Sequence, residues 1–102
     1  MPGARIVRDG AFRFYVEGEM TFATVKGLLS QSKHFFEKPQ DLEIDLSRVT
    51  GGDSAGLALL LEWKAWAIRE DCELAVEGLP EAMRSVAHLC RIESLLLEVG
   101  VE

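Results

Sequence analysis

The sequence predicts an α/β fold in which a mixed sheet of four to five strands carries helices packed on it. Three observations point there. Short segments alternate apolar and polar residues at period two, longer segments repeat apolar residues at helical spacing, and the two kinds take turns along the chain. Their order reads β-β-α-β-α-β-α, with a tail that suits either a last strand or a short helix. Strands alternating with helices of this length imply parallel pairs and crossover helices.

Residues 12–17, FRFYVE, alternate as a strand, and RIVRD at 5–9 is its hairpin partner across Asp9-Gly10. TFATVKGLLSQSKHFFEK, 21–38, reads as a helix through Phe22, Val25, Leu29 and Phe36, with Thr21 as N-cap and Pro39 as the stop. In 42–49, LEIDLSRV, Leu42, Ile44 and Leu46 alternate with Glu43, Asp45 and Ser47, a strand signal. A glycine-rich turn then opens a long helix from Ser54 to about residue 70. CELAVEGL at 72–79 is a short strand. Pro80 starts the helix PEAMRSVAHLCR, since proline is favoured in a first turn. The tail SLLLEV, 94–99, stays open between strand and helix.

The chain of 102 residues suits one domain over 1–102, with enough apolar residues for its own core. Its net charge of −6 argues against nucleic acid, because phosphate backbones are held by clustered Lys and Arg. The opening MPGARIVRDG has no apolar run behind its arginines, so it is not a secretory signal. No stretch approaches the ~20 apolar residues that span a bilayer. A cytoplasmic protein is expected, able to sit against a membrane component without inserting. Cys72 and Cys90 read as reduced buried thiols, because a zinc site needs four ligands in paired spacing. No metal or cofactor is expected.

GGDSAGLALLLEW, 51–63, poses the functional question. Gly52-Asp53-Ser54-Ala55-Gly56 fits the G-x-S-x-G elbow of serine hydrolases. A serine nucleophile needs a positioned base and a group to orient it. The two histidines are His34, which precedes Ser54 in the wrong order, and His88, in mid-helix. Catalysis is therefore not expected. A phosphate loop fares no better, because G-x-x-x-x-G-K-[ST] is missing.

At 3.6 residues per turn, Leu57, Leu61, Ala65 and Ile68 share one face of the long helix, with Leu60 at its margin. This stripe is expected to face the core. Ala55, Leu59, Trp63 and Trp66 fall opposite, and two outward tryptophans call for a partner. Ser54, as N-cap, would begin that interaction face.

Asp53-Ser54, with Gly56-Leu57 two on, resembles the D-S-x-G-L signature of STAS domains, the anti-sigma-factor antagonists and their relatives. VEGEMTFATVKGLL (16–29), LEIDLSRVTGGDSAGL (42–57) and EGLPEAMRSVAHLCRIESLL (77–96) resemble further segments of that family, so the likeness covers nearly the whole chain. It implies the STAS-like fold and no chemistry of the protein's own. DSAGLALLLEW in a chain of this size looks most like the small STAS subunit of an ABC transporter that maintains outer-membrane lipid asymmetry. That implies binding to the transporter's ATPase subunit, within a complex with the membrane permease; taken with the outward helix face, the expected contact residues are Gly52, Asp53, Ser54, Ala55, Leu59, Trp63 and Trp66. The alternative is an anti-sigma-factor antagonist, whose corresponding serine, Ser54 here, is phosphorylated to break partner binding.

Overall fold

A computed structural model describes residues 3–38 and 40–89. Its elements run β1 (Ala4–Arg8), β2 (Arg13–Met20), α1 (Val25–Phe35), β3 (Leu42–Gly52), α2 (Ser54–Arg69), β4 (Leu74–Glu77) and α3 (Glu81–Leu89). This is the order expected from the sequence. Pro39 and the tail at 94–99 lie outside the described residues, as does Cys90.

The sheet has the order β1-β2-β3-β4, antiparallel between β1 and β2 and parallel thereafter. Period-two alternation puts Ile6, Phe14, Val16, Ile44, Leu46, Leu74 and Val76 on one buried face. The helices cover that face, contributing Leu28, Leu57, Leu60, Trp63, Met83 and Ala87 to a single core. Two register shifts between β2 and β3 each insert an extra residue in β3. The first moves the buried position from Leu46 to Val49, and the strand runs on through the second to Gly52, past its expected end at residue 49.

The other face of the sheet is ionic. Arg13 lies among carboxylates from its own hairpin loop and from two neighbouring strands: Glu43 at 2.8 Å, Glu77 at 3.4 Å, Asp45 at 3.5 Å and Asp9 at 3.6 Å. Arg48 stacks on the Tyr15 ring, 4.1 Å from its centroid. Partial desolvation pushes the Asp45 carboxyl up, but the Ser47 N–H and hydroxyl, with Arg13 and Arg48, outweigh it and hold it below the ordinary value.

Helix α1 starts later than expected. Residues 21–24 form a turn, with the Val25 and Thr24 N–H groups both donating to the Thr21 carbonyl at 2.9 Å. Thr21 is therefore not the N-cap. Thr24 occupies that place, but its hydroxyl donates to the Glu19 carbonyl and accepts from the Thr21 N–H instead of capping the helix. Cys72 is a half-buried free thiol whose pKa is raised chiefly by burial.

Helix α2 reaches the sheet through Gly56. A Cβ there would collide with the Met20 carbonyl oxygen and stand 3.0 Å from the Met20 Cβ. Gly56→Ala should therefore cost about 1–3 kcal/mol, as overpacking does. Gly51→Ala, with open space around its Cβ, should stay within about 0.5 kcal/mol. Urea midpoints of the two variants check this, and equal losses would contradict it. Asp45 gives a second expectation. Its folded pKa is lowered, so its contribution is complete above the ordinary value of about 3.9 and fades as pH falls through the folded one. The gap in urea midpoint between wild type and Asp45→Asn should narrow from pH 6 to pH 3 (roughly spanning that titration); a constant gap would assign the loss to packing.

Candidate functional site

The D-S-x-G-L turn lies where β3 ends and α2 begins, and Asp53 organises it. Its backbone is extended, and its Oδ1 accepts from the N–H groups of Ala55 at 2.9 Å and Gly56 at 3.3 Å. Asp53 is thus the N-cap, and Ser54 is the first helical residue, exposed to solvent. Ser and Asp are both good caps, so the sequence alone favours neither. The extended backbone that turns the chain into the helix falls at Asp53, which decides it.

The same carboxylate reaches a second element. Asp53 Oδ2 accepts from the Phe22 N–H at 3.2 Å, and the Asp53 N–H donates to the Met20 carbonyl at 3.2 Å. The loop between β2 and α1 is thereby tied to the start of α2, with Met83 of α3 beneath Gly52 and Gly56. Two of the helix's first N–H groups, which could otherwise hold an anion, are already taken by Asp53.

Gly52, Asp53, Ser54 and Ala55 come together at this turn as expected. Leu59 and Trp63 do not join them. Leu59 is 5% exposed and Trp63 only 1%, so both face the core and the outward assignment is overturned. Trp66 is half-buried against Phe36, with ring centroids 4.9 Å apart. The buried side of α2 is Gly56, Leu57, Leu59, Leu60, Trp63 and Ala67. Of the stripe expected in the core, Leu57 is buried, Leu61 and Ala65 are half-buried, and Ile68 is 79% exposed. The helix is turned by about a third of a revolution from that expectation. It is apolar on nearly every side, so periodicity hardly chooses a face; the close approach at Gly56 does.

The outward side of α2 consequently presents Ser54, Ala58 and Ile68, flanked by Leu61 and Ala65. Beside Ser54 stands Phe22, 84% exposed on a turn pinned by the Asp53 bond and by its own hydrogen bonds. Sequence reasoning missed Phe22, because it fits the apolar spacing of α1 if the helix begins at residue 21. A second capping-type residue at Thr24 was the signal that it begins later.

His34 is in the last turn of α1, about 15 Å along the axis from the end nearest Ser54, and His88 is exposed in the last turn of α3. No group of metal ligands occurs among the described residues. No helix among them is long and apolar enough to cross a membrane.

These residues build a mixed sheet covered by helices on one face, with an aspartate-capped turn presenting an exposed serine. A family model described as "Mlab, STAS domain" matches residues 8–98. The chain belongs to the STAS domain family, whose members are generally non-catalytic. No curated protein matches it.

The tryptophan placement is checkable by fluorescence. Trp66→Phe leaves Trp63, whose emission should be blue-shifted and poorly quenched by acrylamide; Trp63→Phe leaves Trp66, which should quench more readily. The reverse order would restore the outward reading of Trp63.

Proposed function

We propose that this protein is a non-catalytic cytoplasmic subunit that docks on the ATPase subunit (MlaF-like) of an ABC transporter. In a complex with the membrane permease, it supports the phospholipid transport that maintains outer-membrane lipid asymmetry. It sits at the inner face of the membrane through its partner, without inserting. The family description supports the branch. The observation that carries the docking reading is the exposed apolar surface that begins at Ser54. Ser54, Ala58 and Ile68 lie along α2, and Phe22 is exposed on a turn bonded to Asp53 at the start of that helix. Exposed aromatic anchors on rigid backbone are what protein interfaces use, since little entropy is lost on binding. An antagonist switched by phosphorylation would use the same exposed Ser54 hydroxyl, and the identity of the bound partner separates the two.

Ser54→Glu should abolish co-purification of the ATPase subunit while leaving the fold intact. A carboxylate in the first helical turn is favoured by the helix dipole. Desolvated against a partner it costs several kcal/mol, more than two factors of ten in affinity. Ser54→Ala should keep both binding and melting temperature, because Asp53 caps the helix. Undiminished co-purification of Ser54→Glu would place the interface elsewhere. Capture of a kinase-like regulator in place of the ATPase would favour the antagonist reading.

A further inference from the structure

Between α1 and α2 runs a cleft lined by Leu29, Ser32, Lys33, Phe36, Glu62, Trp63, Trp66 and Arg69. Its floor is aromatic, with Phe36 set 4.9 Å from the Trp66 ring and 5.8 Å from the Trp63 ring. Leu29, on its α1 side, is 36% exposed. The Trp63 Nε1–H is buried and has no acceptor among the described residues. The rim carries two cations, Lys33 and Arg69, against one carboxylate, Glu62, in a chain that is acidic overall. Lys33 makes no ion pair among the described residues, and Arg69 reaches Glu62 only at 3.8 Å. At about 200 Å³ the cleft falls below the ~300–1,000 Å³ of sites that enclose a whole small molecule. It matches one apolar side chain of a larger partner.

We propose that this cleft is a specificity pocket for an acidic amphipathic segment of a protein partner. Resting on the docking reading above, it takes one apolar side chain against Phe36 and Trp66. A carboxylate of the same segment pairs with Lys33 and Arg69. This is the helix-in-groove mode, with charge complementarity setting which segment is admitted.

The test uses the full chain carrying Trp63→Phe, so that Trp66 alone reports, and two capped helical peptides. One carries leucine at i, i+3, i+4 and i+7 with glutamate on the other face; the other replaces each glutamate by lysine. The acidic peptide should shift Trp66 emission to the blue and saturate, and Lys33→Glu should weaken that binding at least tenfold at unchanged melting temperature. Equal or tighter binding of the basic peptide overturns the inference, as does an unchanged spectrum up to about 1 mM, where even ~4 kcal/mol of binding would register. A blue shift that grows with the protein's own concentration assigns the cleft to a second copy and overturns it too. An ATPase arm with wild-type tryptophans separates the two readings. If the ATPase is lost with Ser54→Glu but not with Lys33→Glu, and the peptide leaves Trp66 unchanged, docking stands and the cleft inference falls. If the acidic peptide saturates the cleft while the ATPase never binds, the cleft inference stands and the transporter reading falls.

Discussion

One carboxylate sets the working end of this molecule. Asp53 accepts two N–H groups from the first turn of α2 and a third from Phe22 in the preceding loop, so it fixes two elements against each other at the carboxyl edge of the sheet. Each bond is ordinary in strength, with a cap worth about 1 kcal/mol. Their importance is positional. With the helix start held this way, Ser54 must point outward, Gly56 must approach the backbone of Met20, and Phe22 is left exposed.

The two faces of the sheet differ in what they offer to solvent. On the open face, Arg13 gathers carboxylates from three elements and Arg48 is stacked on Tyr15. There one guanidinium is shared among four carboxylates, and exposed ion pairs contribute little to stability. On the helix side, apolar groups stand exposed on backbone that the fold already holds rigid. Phe22 and Ile68 gain by being covered, and little ordering is needed to cover them.

The frame was legible in the sequence because its signals are strong and local. Leu42, Ile44 and Leu46 alternate cleanly, Asp9-Gly10 marks the hairpin, and Pro80 announces the last helix. The site was legible as a turn but not as a surface. Ser54 and Asp53 are both capping residues, and only the extended backbone at Asp53 separates them. Helix α2 carries Leu, Ala, Trp or Ile on almost every side, so its orientation is decided by tertiary contact at Gly56 rather than by pattern. Trp63, expected outside, fills the core for that reason. The end of β3 was missed because extra residues in a strand break the alternation that reveals it.

On the proposed reading a partner protein docks on the surface organised by Asp53 and not on the ionic face of the sheet. Site-specific photocrosslinking tests it most directly. A benzophenone amino acid is installed at position 22 in one variant and at position 15 in another, and each is irradiated with the ATPase subunit present. A covalent adduct from position 22 and none from position 15 is expected. An adduct from position 15 alone would place the partner on the opposite face and contradict it.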